Sequence, residues 1–344
     1  MECSCKFIFN PEHDLCLASG DVNFIPPATA VRFAQEGKWI EKFMRAPGGV
    51  AYNCSRSCSG SGSCSGSGSC SYSGSGNCAA QVVPWGWNAV LKRKLIGEGW
   101  PLEALPSDEE IEFIRVHSRR ELAVELLDTL QGVGIVSADY RIIARSMEEI
   151  ESFLQNHNRV VLKAPLSGSG KGVRFVTGEL METDRGWCRK TIQKQGAVIV
   201  EQRMEILQEF AMLFECAGAS EQVKVTFRGY SMFYTSNGAY KGNILASDEY
   251  IENILAKWVP EEMLHKLQAE IAGWLDEKLS GKYSGFIGVD MFISEEGLLN
   301  PAMEINVRMT MGLIARNIYD FHKEEYSLGE GTHCFEPERG ICRL

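Results

Sequence analysis

No run of apolar residues in this chain approaches the roughly 18 needed to cross a bilayer. The opening stretch, Met1 to Phe9, lacks the apolar core of a secretory signal. Positive charge is also scarce, with 35 Lys and Arg against 45 Asp and Glu, a formal net charge of −10. Nonspecific nucleic-acid binding needs a basic face that displaces counterions, so neither DNA nor RNA is an expected partner. A local basic pocket for a small polyanion is still allowed. These absences predict a cytoplasmic protein without membrane contacts. The 344 residues, 44% hydrophobic and 23% charged, have globular composition. At roughly 100–200 residues per domain they make two or three units.

Histidine and paired C-x2-C spacings are missing where the cysteines are densest. Five of the twelve cysteines, Cys54, Cys58, Cys64, Cys70 and Cys78, share one segment in which Ser fills every odd position from Ser55 to Ser75. Reduced cytosolic thiols rarely form structural disulfides. A Ser/Gly/Cys chain also buries too little apolar surface to offset its ordering entropy, which predicts a flexible insertion over 54–78. The alternative is a metal- or redox-active arm, because in an extended chain all five thiols face one side.

Outside this arm the pattern is structured. Lys6–Phe9 reads as a strand and Thr29–Arg45 as a helix, and Gln81–Val83 as a strand ended by Pro84-Trp85-Gly86-Trp87. This alternation predicts a small α/β domain with a parallel sheet, Trp85 and Trp87 lying in its core or at a domain interface. A helix with the stripe Leu122, Leu126, Leu127 and Leu130 follows, then a helix over Met147–Gln155 and a strand ending at Lys163. Further strands are expected at 173–176, 197–200, 209–216, 223–228 and 231–235. A helix over Pro260–Leu279, strands at 286–293 and 298–307, a helix over Met311–Phe321 and a short tail complete the chain.

Three places carry chemistry. After Lys163 comes Ser167-Gly168-Ser169-Gly170-Lys171-Gly172, joining two strands. The Walker loop and the dinucleotide fingerprint both need a helix there, so this is a hairpin flap whose backbone N–H groups can cover phosphates. The strands around Glu295-Glu296-Gly297 form a hairpin that puts Asp290 opposite Glu304, with Asn306 on the same face. Two carboxylates and an amide there, among buried Met291, Phe292, Ile305 and Val307, suit Mg²⁺ bridged to phosphates. Glu201, after an apolar strand, and Glu209, opening the next, are placed to accept from ribose hydroxyls. Glu12, His13 and Asp14 follow the first strand, where open α/β sheets bind ligands; a capped turn is an equal reading.

In this order the features resemble the ATP-grasp superfamily, which includes D-alanine–D-alanine ligase, biotin carboxylase and the large chain of carbamoyl phosphate synthetase. The resemblance runs from about Ser118 to Phe321 and ends in Glu304-Ile305-Asn306-Val307-Arg308. It implies a mixed α/β and α+β fold: a small Rossmann-like domain over 1–117, a first lobe over 118–200, a second over 201–325 and a tail over 326–344. Nucleotide would lie between antiparallel sheets. It further implies that Lys163 and the 167–172 loop hold the phosphates of ATP, that Glu201, Gln202 and Arg203 meet adenine, and that Glu209 takes the ribose. Asp290, Glu304 and Asn306 would hold Mg²⁺ or Mn²⁺. Where the family has a lysine before the Leu122 helix, Arg119 or Arg120 stands here.

The implied activity is a C–N bond-forming ligase, in which a carboxylate attacks the γ-phosphate and an amine or thiol then displaces phosphate from the acyl phosphate. Arg308 is the first choice for the substrate carboxylate, with Arg228 and Lys241 as further candidates and Glu12, His13 and Asp14 as substrate contacts. Partners would be small carboxylates and amines, and a homodimer is compatible with the sequence. A phosphotransferase that stops after the first step and a non-catalytic nucleotide-binding scaffold are the rival readings.

Overall fold

The structure is a computed structural model, and it describes residues 5–47, 81–135, 140–168, 172–216, 224–236 and 239–344. The cysteine-rich segment 54–78 and residues 169–171 of the glycine loop lie outside the described residues.

The chain begins with β1 (Cys5–Ile8), α1 (His13–Ser19) and α2 (Ala28–Glu36), which continues as a 3-10 turn through Gly37–Phe43. The single helix expected over Thr29–Arg45 therefore changes pitch at Gly37, where a Cβ would stand 2.4 Å from the Phe9 ring. β2 (Gln81–Pro84) pairs in parallel with β1, so the parallel sheet near the N-terminus has two strands among the described residues. α3 (Ala89–Gly97), α4 (Asp108–His117) and α5 (Glu121–Gly132) follow. Ser107 and Glu110 close a reciprocal cap on α4, which fixes where that helix starts.

Next come β3 (Arg141–Ala144), α6 (Met147–Asn156), β4 (Arg159–Lys163), β5 (Val173–Thr177), α7 (Glu182–Gln195) and β6 (Val198–Gln202). The four strands form an antiparallel sheet in the order β3-β6-β4-β5. Alternation sorts its two faces. Val160, Leu162, Val198 and Val200 bury against α6 and α7. Arg141, Glu201 and Lys163 share the other face, with Arg141 directly opposite Glu201.

The larger sheet is built from β7 (Ile206–Cys216), β8 (Val225–Ser236), β9 (Ala239–Leu245), then, after α8 (Asp248–Leu255) and α9 (Glu261–Leu279), β10 (Gly285–Ser294) and β11 (Leu299–Asn306). α10 (Met311–His322) precedes β12 (His333–Glu336) and β13 (Gly340–Arg343). All seven strands run in the order β11-β10-β7-β8-β9-β12-β13. The two strands expected at 223–228 and 231–235 are one, β8, because Gly229 carries the chain through at φ +123, a conformation that reads as a turn in sequence. Met212, Phe214, Ile287, Val289, Met291 and Ile305 on one face pack against α5 and α9. The segment expected as a tail is instead the β12–β13 hairpin, pairing with β9 and burying Phe335 fully against Trp39 and Phe43. No helix among the described residues is long and apolar enough to cross a membrane.

A tail residue would be replaceable at almost no cost, whereas a fully buried Phe truncated to Ala loses about 3–5 kcal/mol. Phe335→Ala should therefore lower unfolding free energy by about that amount in urea titration. A change within about 0.5 kcal/mol would contradict the placement of this hairpin.

Candidate functional site

β10 and β11 meet antiparallel with Gly288 opposite Asn306 and Asp290 opposite Glu304. Beyond Asp290 the register shifts, Phe292 facing Asn300, so Met291 is opposed by three residues that include Pro301. Proline has no N–H for the ladder, and the bulge accommodates it. Asp290, Glu304 and Asn306 lie on the face turned away from α5 and α9. Asn306 Nδ2 donates to Asp290 Oδ2 at 2.9 Å. Glu209 shares that face across β7, two residues from Ala211, the neighbour of Asp290.

Burial, and then the facing Glu304 carboxylate, push Asp290 up to about 7. Glu209 is raised by burial as well. Burial is the larger cause in both cases. Among the described residues no group of three or more His, Cys, Asp or Glu side chains converges as a metal site. Two carboxylates and the Asn306 amide oxygen fit instead a hard divalent cation that takes its other ligands from phosphate and water.

Cations surround this pair. Arg120, just before α5 and 8% exposed, donates through Nη1 to Ala164 O at 2.6 Å and Ser167 Oγ at 2.8 Å, with Nη2 3.0 Å from Glu304 Oε1. Arg308, two residues past Asn306, forms a fork with Asp14, Nε to Oδ1 at 2.9 Å and Nη2 to Oδ2 at 2.8 Å, and donates to Met309 O at 3.0 Å. Burial works to raise Asp14, but the Arg308 guanidinium outweighs it and holds the carboxyl below its ordinary range.

On the small sheet, Lys163 Nζ lies 2.7 Å from Glu201 Oε2 and Arg141 Nε 3.0 Å from Glu201 Oε1. Burial lowers Lys163 despite Glu201, while Glu201 is kept below its usual value because Arg141 and Lys163 outweigh its burial. Arg141 Nη1 also reaches Ala302 O in the β11 bulge at 2.5 Å, which ties the two sheets.

The expected residues therefore fall into two groups. Ser167 and Glu304 share Arg120, Asn306 bonds Asp290 across from Glu304, and Arg308 forks with Asp14, while Lys163 is held in the ion pair with Glu201. Glu201 is buried and saturated by two cations, so its expected contact with ribose hydroxyls is replaced by a structural ion pair. The N–H groups of Gln202 and Arg203 already bond Tyr140 O and Arg159 O, and Arg203 stacks over Phe175. Gly168 and Gly172 frame the loop, Gly168 against Leu15 of α1, while Ser169, Gly170 and Lys171 lie outside the described residues.

Arg228 is not brought to the carboxylates. It pairs with Glu215 at 2.7 Å, and Glu215 faces Phe286, four residues from Asp290 or about 13 Å along the strand. Lys241 is exposed on β9, with β8 and β7 between it and β10, about 14 Å away. His13 is buried beside Asn88, and burial holds it neutral with a pKa of about 4. Glu12 has a buried Oε2 without a hydrogen-bond partner among the described residues. Trp85 is buried and accepts Met309 N at its carbonyl, within the interface between β2 and the segment after β11. Sequence reasoning missed Arg141; its signal was a charge amid the apolar run Tyr140–Ala144.

No family model and no curated protein matches the sequence. Solved structures do match in backbone. N5-carboxyaminoimidazole synthetase from Staphylococcus aureus, complexed with ADP, is 15% identical over 61% of this chain and 48% of its own, with a TM-score of 0.42. The biotin carboxylase domain of 2-oxoglutarate carboxylase from Hydrogenobacter thermophilus, with MgADP and bicarbonate, is 15% identical over 70% and 53%, TM-score 0.48. These matches are ATP-grasp enzymes. A third ATP-grasp structure, D-alanyl-alanine synthetase A from Vibrio cholerae, gives 15% over 56% of each chain and a TM-score of 0.39. This chain spans about half the length of the first of them. With TM-scores below 0.5, residue roles rest on this chain's own geometry.

In metal-free protein Asp290 holds its proton to a pH of about 7, whereas the unfolded chain releases it near 4. That contribution to stability is complete below about 4 and is lost as pH rises through about 7. Asp290→Asn in EDTA should therefore raise the melting temperature more at pH 8 than at pH 5. An equal shift at both values would contradict the strain assigned to this pair.

Proposed function

We propose that this chain is an ATP-dependent ligase that activates a carboxylate as an acyl phosphate and passes the acyl group to an amine. The supporting observation is the meeting of the Asp290–Glu304–Asn306 face with Arg120, Arg308 and the start of the glycine loop. This arrangement suits a triphosphate whose charge is shared between a divalent cation and guanidinium groups. Mg²⁺ held by Asp290, Glu304 and Asn306 would supply charge neutralisation at the phosphates.

The chain's own groups then act by position. Lys163 and the loop from Ser167 to Gly172 would hold the phosphates, and Glu209 the ribose. Arg308 has five N–H donors, of which Asp14 takes two and Met309 O one, leaving two for a substrate carboxylate. A carboxylate oxygen attacks the γ-phosphorus and ADP leaves. The amine then attacks the acyl carbon, and phosphate departs carrying one oxygen from the substrate.

That oxygen is the test. Purified protein is incubated with ATP, Mg²⁺ and pools of ¹⁸O-labelled carboxylates with amines, and the released phosphate is analysed by mass spectrometry. Ligation through an acyl phosphate puts ¹⁸O into phosphate, and Glu304→Gln should reduce turnover at least 100-fold, the scale of losing a charge-stabilising group. A stable phosphorylated product with no free phosphate would make the protein a phosphotransferase. Unchanged turnover in Glu304→Gln would refute the assigned site.

A further inference from the structure

Arg120 stands where the two sheets approach, and it is bound from both sides. Its backbone N–H donates to Pro165 O at 2.9 Å, and its Nη1 holds Ala164 O and Ser167 Oγ at the entrance to the glycine loop. Its Nη2 is 3.0 Å from Glu304 Oε1 on β11. The side chain is 8% exposed, while that of Glu304 is 35% exposed and accessible to a second cation. Arg120 Nε is buried with no hydrogen-bond partner among the described residues, so the guanidinium has a donor to spare.

The guanidinium thus neutralises one member of the opposed carboxylate pair. A divalent ion between Asp290 and Glu304 would do the same from a few ångströms away. Two cations close to one carboxylate repel each other. Glu304 has a second oxygen, yet a guanidinium and a divalent ion that share its one negative charge each hold it more weakly than either would alone.

We propose that Arg120 is a resident counter-ion which a divalent cation displaces from Glu304, so that metal loading cuts the side-chain link between β11 and residues 164–167. This rests on the reading that Asp290, Glu304 and Asn306 hold the metal. After displacement Arg120 keeps its bonds to Ala164 O and Ser167 Oγ, and its freed Nη2 stays beside the loop. Metal binding then exchanges a direct side-chain link from β11 to residues 164–167 for one that runs only through the start of α5. Arg120 is in this sense a positioning residue for the loop, separate from any contact it makes with substrate.

The probe is Mn²⁺ alone, without nucleotide, its free concentration followed by electron paramagnetic resonance in the full chain. Arg120→Gln should bind Mn²⁺ at least 10-fold more tightly than the unaltered protein, because no resident cation has to leave. Arg120→Lys, which retains a charge, should stay near the original affinity, and Glu304→Gln should lose binding. Hydrogen exchange supplies a second readout that needs no variant. Mn²⁺ should speed exchange of the peptide covering 162–168 in the unaltered protein, as its link to β11 opens. Equal affinity in the unaltered protein and Arg120→Gln, with binding lost in Glu304→Gln, leaves the metal site standing and overturns the displacement. Unchanged exchange at 162–168 on Mn²⁺ saturation also overturns it. Failure of Mn²⁺ to bind the unaltered protein overturns both the displacement and the metal site beneath it.

Discussion

Asp290 and Glu304 are held opposite each other, half-buried, by the β10–β11 register. Two carboxylates at that spacing, partly shielded from water, repel unless positive charge stands near. Much of the surrounding architecture meets this requirement. The start of α5 delivers Arg120 to Glu304, and the segment after β11 delivers Arg308. Asp14 from the N-terminal unit then balances Arg308 and draws α1 to the same place. Burial, and then Glu304, still push the Asp290 carboxyl up to about 7 despite Arg308.

The small sheet solves a related problem with the opposite sign. Arg141 on β3 and Lys163 on β4 face the same side, and Glu201 on β6, the strand between them, satisfies both. Buried pairs of this kind add little over an apolar replacement, yet removing one partner typically costs about 3–5 kcal/mol. Their value here is geometric: Arg141 reaches on to the carbonyl of Ala302, freed by the bulge at Pro301, and so fixes the edge of one sheet against the other. Oxygen ligands and cations from the two sheets thus stand near one another, which is the arrangement the proposed neutralisation of a triphosphate and a divalent ion rests on.

Local patterns made part of this legible in the sequence. The turn at Glu295–Gly297 and the apolar alternation of the flanking strands put Asp290 and Glu304 on one face, but their direct pairing depends on the bulge, since the register next to the turn, carried on, would set Asp290 opposite Ala302. Strand β4 and helices α6, α9 and α10 were marked by periodicity and flanking breakers. Long-range choices were not legible. Glu201 looked available to a ribose because nothing local announces that Arg141, 60 positions earlier, lies across the ladder from it. Arg228 and Lys241 were grouped with Arg308 by lobe, but a bulge at Gly229 and two intervening strands separate them from the carboxylates. The β12–β13 hairpin looked like a tail because its strands are four residues each, and Phe335 becomes core only once β9 is beside it.

If the carboxylate pair and its cations form one electrostatic unit, nucleotide affinity must depend on the divalent ion. Isothermal titration of the full chain with ATP, in excess Mg²⁺ and again in EDTA, measures that dependence directly. The account predicts saturable binding with Mg²⁺ and a loss of at least 10-fold in affinity without it, because the bare triphosphate would meet Asp290, Glu304 and Glu209 without a counter-ion between them. ATP binding equally well in EDTA would contradict it and would move the nucleotide away from this face of the sheet.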